Sequence, residues 1–185
     1  MHNNIPYSNS HYYNNRNHEP DYLYDYYFPY PNQYYFDDAD YKNDAHYYDD
    51  YGPEPFIVDI EAITKENDTF RTALWTGRHL QLTLMSIDVG EDIGLETHPH
   101  LDQFIRIEEG QGIVKMGDSK DNLDFQEMVY DDFAILIPAG KWHNLINTGY
   151  KPIKLYSIYA PPEHPFGTVH VTKREAEAAE ENHNH

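Results

Sequence analysis

Gly94-Leu-Glu-Thr-His98-Pro-His100-Leu-Asp-Gln103, answered further along by Pro138-Ala-Gly-Lys-Trp-His143, decides how this chain is to be read. His98 and His100 sit two residues apart. In a β-strand, residues i and i+2 point to one face, so both imidazoles are predicted to reach a single point. His143 follows a Pro-x-Gly turn that presents it at the start of another strand. Three neutral imidazoles converging on one point are what a borderline divalent metal takes. Parity puts Glu96 on the same face as the first two. If the strand is regular, its carboxylate points inward and could serve as a general base, raised in pKa by burial and lowered by a cation. If the strand starts late, Glu96 sits in a solvated turn.

The two stretches resemble the paired motifs of the cupin superfamily. The first family pattern runs Gly-x5-His-x-His-x(3,4)-Glu-x6-Gly, and the second runs Gly-x5-Pro-x-Gly-x2-His-x3-Asn. Gly110 falls where the first motif closes, and Asn147 stands in the asparagine position after His143. The chain departs from the pattern at Gln103, which, counted back from Gly110, occupies the place of the glutamate, and at Asp132, which occupies that of the second motif's leading glycine. The resemblance implies a metal site of His98, His100 and His143, with the amide oxygen of Gln103 as fourth ligand. An amide in place of a carboxylate removes one negative charge, which weakens binding and leaves the metal a stronger Lewis acid. Zinc, iron, manganese and nickel all tolerate such donors.

Around these motifs the chain reads as strand after strand. The segment 79–88 alternates Leu80, Leu82 and Leu84 against Gln81, Thr83 and Met85, the period of a sheet with unlike faces. Gln81 and Thr83 line the cavity or face solvent, depending on which side is inner. Further strands are predicted at 72–76, 94–100, 103–108, 112–117, 125–130, 133–137, 143–147 and 153–159, parted by turns such as Gly110-Gln-Gly and Asn147-Thr-Gly. A short helix capped by Asp59 is expected over 60–67, and an Ala/Glu helix over 173–181. Many short strands with little helix argue for an all-β architecture, the double-stranded β-helix or jelly roll. Arg106 is out of parity with Gln103, Ile105 and Ile107 and should face outward. By analogy with cupins, such faces pair into a homodimer.

Composition divides the chain. Of its 185 residues and 18 tyrosines, fourteen tyrosines precede Gly52, in a stretch whose only branched aliphatic residues are Ile5 and Leu23. Such a segment lacks a periodic apolar face and cannot offset the entropy of folding. Residues 1–52 are therefore expected to be a disordered tail, 53–172 the barrel, and 173–185 a helix with a frayed end. The net charge of −19 is spread over both parts, which argues against nucleic acid or an anionic membrane as partner. There is no cysteine, and no basic segment followed by an apolar run opens the chain. A cytoplasmic location is expected.

Two classes of function fit. One is a metal enzyme of small oxygenated molecules, either isomerase-like or dioxygenase-like. The other is attachment to an assembly such as a spore coat through residues 1–52, whose paired tyrosines (Tyr12-Tyr13, Tyr26-Tyr27, Tyr34-Tyr35, Tyr47-Tyr48) suit stacking and oxidative cross-linking. A sensor that binds a small ligand without turnover is a third. His164 and His170 follow the last predicted strand and are expected to be surface or packing histidines.

Overall fold

The computed structural model describes residues 48–183. The first element is helix α1 (Ile60–Glu66), followed by strands β1 (Arg71–Thr76), β2 (Gln81–Ile87), β3 (Asp102–Glu109), β4 (Gly112–Gly117), β5 (Phe125–Val129), β6 (Ala134–Ile137), β7 (Trp142–Asn147), β8 (Ile153–Ala160) and β9 (Val169–His170), and then by helix α2 (Lys173–His183). Six strands form one sheet in the order β6-β3-β8-β2-β1-β9, and three form a second in the order β5-β4-β7. All pairings are antiparallel. This is the jelly-roll architecture that the strand pattern predicts.

The alternation in β2 assigns the faces. Gln81, Thr83, Met85 and Ile87 register with Tyr159, Ser157, Leu155 and Ile153 of β8. On β3, Gln103, Ile105 and Ile107 register with the same row. This is the inner face. Its lower half is apolar: Met85, Ile87, Ile105, Ile107, Ile153 and Leu155 pack with Val114 and Leu145 of the small sheet. Its upper half is polar, with Gln81, Thr83, Gln103, Ser157 and Tyr159 all buried. Buried polar groups cost stability unless they find partners, and here Gln81 bonds the His164 backbone and Gln103 bonds Ser157.

Leu82 and Leu84 face outward and are covered by α1 together with Tyr48, Tyr51, Phe56 and Val58. Asp59 caps α1 by accepting from the Ala62 amide, 3.1 Å away, as expected from its residue type. The segment from Tyr48 to Gly52, grouped by composition with the N-terminal stretch, packs on the sheet. Tyr48 is buried and donates to Glu66, and Tyr51 stacks on Phe56 with 4.4 Å between ring centroids. The expected tail, residues 1–52, otherwise lies outside the described residues.

One predicted strand is missing and one unpredicted strand is present. The strand expected over 94–100 is not formed. That segment pairs with β7 through single bridges, Asp92 to Ile146 and Glu96 to His143, before Pro99 and His100 turn away. Proline lacks the amide that a continuing ladder needs. Strand β9, unforeseen, pairs Arg71 with His170 and Thr72 with Val169. Thr172 and Glu175 bracket the start of α2, with the Glu175 amide donating to Thr172 Oγ1 and the Glu175 carboxylate accepting from the Val171 amide. Ala176 of α2 is buried in the inner cluster beside Phe70.

Candidate metal centre

Two backbone ties bring the distant motifs together. The His143 amide donates to the Glu96 carbonyl at 2.9 Å and the Glu96 amide to the His143 carbonyl at 3.1 Å. The Gly140 amide, in the Pro138-Ala-Gly turn, donates to the His98 carbonyl at 2.8 Å. Gly140 has φ +80, a conformation in which glycine carries no Cβ penalty. Asp132, in the place of the family's leading glycine, also has a positive φ, 71. Asp is among the few residues that visit this region readily, so the turn survives the replacement.

Glu96, His98 and His143 converge, their ligand atoms all within 4.8 Å of one another. The two Nε2 atoms lie 3.4 Å (His98) and 3.3 Å (His143) from the same carboxylate oxygen of Glu96. Both are buried, and neither makes a hydrogen bond. Ligands about 2.0–2.2 Å from a common ion stand roughly 3.0–3.4 Å apart, so this spacing suits a shared cation. Gln103 adds an inward oxygen. Its Nε2 donates to Ser157 Oγ at 3.0 Å, which leaves Oε1 buried without a partner.

The outer nitrogens are held. His143 Nδ1 lies 2.9 Å from the Lys141 carbonyl, a contact that orients the ring with Nε2 toward Glu96. His98 Nδ1 lies 3.2 Å from Glu163, a carboxylate behind a histidine of the kind that orients metal ligands. Burial would lower the His98 pKa, but the Glu163 and Glu96 carboxylates outweigh it and push it up to about 9. Burial would raise the Glu96 carboxyl; His143, His98 and the Arg71 charge instead hold it well below the usual range, so it is ionised.

His100 is not part of this cluster. It is exposed on the turn after Pro99, where parity no longer applies. Glu96 stands where the spacing anticipated an inward carboxylate, but among the donors themselves. It supplies the negative charge that Gln103 lacks. Glu163 and Arg71 escaped the sequence reading because each arrives from a remote strand or loop. Tyr159 was within reach of parity on β8: it is buried, meets His98 edge-on at 5.7 Å and His164 at 5.1 Å, and burial pushes its hydroxyl up to about 12. The backbone of His164 is gripped by Gln81, whose Nε2 donates to its carbonyl and whose Oε1 accepts from its amide.

A cupin domain profile matches residues 83–159, the span that contains the converging donors and the strands beneath them. The crystal structure of BH2720 from Bacillus halodurans is 70% identical, superposes with a TM-score of 0.70, and is covered over 98% of its length by 70% of this chain. The chain belongs to the cupin superfamily. The uncharacterized protein YrkC of Bacillus subtilis strain 168 is 70% identical over 132 residues, 71% of each chain. The uncharacterized protein L612 of Acanthamoeba polyphaga mimivirus is 40% identical over 119 residues, 64% of this chain and 72% of that one. No helix among the described residues of this cupin is long and apolar enough to cross a membrane.

Proposed function

We propose that this cupin binds one divalent metal through Glu96, His98 and His143, with Gln103 Oε1 as a further donor, and that it is an enzyme of small oxygenated molecules. The observation that carries the reading is the pair of buried, unbonded Nε2 atoms facing one carboxylate oxygen. Two histidines and one carboxylate form the donor set that non-haem iron(II) takes in oxygenases, which favours a dioxygenase-like over an isomerase-like reaction. When bound, the ion supplies Lewis acidity, redox capacity and open positions for substrate oxygen. The chain's own groups hold the donors. Lys141 and Glu163 fix the two rings, and Ser157 orients the Gln103 amide. As a ligand, Glu96 is no longer available as the general base.

The state of His98 gives a pH signature. A ligand imidazole must be neutral, while in the metal-free protein His98 stays protonated up to about pH 9. Metal uptake at pH 7 is therefore expected to release about one proton per ion, and affinity to rise with pH until about 9. The metal-free protein runs the other way. A histidine whose folded pKa exceeds its unfolded value near 6.5 stabilises below that value and loses the contribution as pH rises through 9. Calorimetry in buffers of different ionisation enthalpy counts the proton. Uptake without proton release would remove His98 from the ligand set.

Attachment to an assembly is a second reading, favoured by the fourteen tyrosines before Gly52. It is compatible with the first. Peroxidase treatment is expected to produce dityrosine fluorescence and cross-linked oligomers in the full chain and much less of both in a chain lacking residues 1–42, which keeps three of the fourteen tyrosines. Equal cross-linking in both would leave the tyrosines without this role.

A further inference from the structure

Arg71 opens β1 and is among the largest fully buried side chains of the described residues. It shares a face with Ala73, which registers with inward-facing Thr83, and it stands opposite His170 of β9. It therefore points into the barrel. A guanidinium is always charged, and in a protein interior such a charge is normally matched closely. Here the matching is thin. The carboxylate at ion-pair distance is Glu180 of α2, 3.5 Å from Nη1, and its side chain is 60% exposed. Arg71 Nε is buried with no hydrogen-bond partner.

The surroundings are also poised for a ligand. His164 Nε2, His170 Nδ1, Thr83 Oγ1 and Gln103 Oε1 are all buried and unbonded. Burial first, and then the Arg71 charge, lower the pKa of both histidines, that of His164 to about 3, so neither adds positive charge. Thr83, beside the face that Arg71 shares with Ala73, registers with Ser157, which holds the Gln103 amide, so Arg71 and the metal donors line one polar interior. A dication held at Glu96 would use up that carboxylate's charge and leave the guanidinium with the exposed Glu180 as its carboxylate partner.

We propose that Arg71 anchors an oxyanion, so that the molecule taken at the Glu96–His98–His143 centre is a small oxygenated compound bearing a carboxylate or a phosphate group. The guanidinium fork matches either group with two parallel hydrogen bonds. The neutral rings of His164 and His170 supply further contacts, and the metal takes an oxygen at the other end. This rests on the metal reading above. A purely structural part for Arg71, tethering α2 through Glu180, accounts for Nη1 but leaves Nε without a purpose.

The test uses the full-length protein loaded with zinc, freed of excess ion and titrated calorimetrically with lactate, inorganic phosphate and lactamide. One of the two anions is expected to bind at one per chain, and which one identifies the group. Lactamide, the same size as lactate but uncharged, is expected to bind at least tenfold more weakly than lactate if lactate is the ligand, and not measurably if phosphate is. Arg71→Gln should lose at least tenfold in anion affinity with its zinc content unchanged. The proposal is overturned if zinc-loaded protein binds neither anion, if lactamide binds as well as lactate, or if Arg71→Gln binds like the parent. Should Arg71→Gln fail to fold, Arg71→Lys, which keeps the charge but lacks the fork, replaces it, and anion affinity equal to that of the parent there overturns the proposal. A parent protein that takes up no zinc strikes the metal reading instead, so the two failures are separable.

Discussion

Replacing Glu96 with Gln is expected to lower divalent-metal affinity by at least about 100-fold while leaving the barrel folded. The carboxylate is the one charged donor in the cluster, and its Oε1 lies 3.3–3.4 Å from both ligand nitrogens. Attraction between an anionic ligand and a dication in a buried site is far larger than in water, and an amide of the same shape retains only its dipole. The fold should survive because the bridge from Glu96 to His143 is made by backbone groups alone. Glu163→Gln removes a carboxylate that stands one bond further out, behind His98, and should cost less, about 10- to 100-fold. Gln103→Glu should act in the opposite direction and tighten binding by adding a charge at Oε1. Metal titrations of the three variants check the order. Equal affinities of Glu96→Gln and the parent would remove Glu96 from the donor set, and a Gln103→Glu protein no tighter than the parent would do the same for Gln103.

Asp50→Ala is expected to destabilise the folded domain by about 2–4 kcal/mol, the largest stability effect anticipated for a residue outside the hydrophobic core. Asp50 Oδ1 accepts from the Thr76 amide at 2.8 Å and the Gly52 amide at 3.0 Å, and Oδ2 accepts from Thr76 Oγ1 at 2.6 Å and the Gly167 amide at 3.0 Å. One carboxylate thus joins the entering chain, the end of β1 and the loop that leads into β9. Hydrogen bonds to a charged group contribute roughly 1.5–3 kcal/mol each, and bonds sharing one acceptor group do not add fully. The corresponding fall in melting temperature is roughly 10 °C for a domain of this size. Deleting residues 1–42 should leave the melting temperature nearly unchanged, whereas deleting 1–52 should cost at least as much as Asp50→Ala. A melting curve for Asp50→Ala that overlays the parent would show that the four contacts are dispensable.

The fold and half of the centre were legible for a local reason. Pro138-x-Gly140-x2-His143-x3-Asn147 is a turn followed by a strand, and each part sits within a few residues of the next. Asn147 even closes its own neighbourhood, donating to the Ile87 and Lys151 carbonyls and accepting from the Gly149 amide. The first motif was harder to read, because parity holds only while a strand continues. It placed Glu96 and His98 on one side and failed at Pro99, beyond which His100 turns to solvent. Glu96 was seen as inward-facing, yet its place among the donors emerges only from the bridge to β7. Gln103 and Ser157 lie on neighbouring strands in parity positions, but their bond spans 54 residues. Glu163 meets His98, and His170 stands opposite Arg71, only once the chain after β8 has folded back to lay β9 beside β1. No periodicity within one strand encodes that return. The N-terminal boundary was misplaced for a compositional reason: Tyr48, Asp50 and Tyr51 look like the residues before them, but their partners lie on α1 and β1.

On the reading proposed above, one divalent ion sits among Glu96, His98 and His143, and His100 takes no part. Metal content after equilibrium dialysis, measured side by side on the parent, His100→Ala and His143→Ala with residues 182–185 removed from all three, tests this most directly. Truncation removes two histidines, His183 and His185, that could hold stray ions. The expected result is one ion per chain in the parent and in His100→Ala, and none in His143→Ala. An ion retained by His143→Ala, or lost from His100→Ala, would contradict the account.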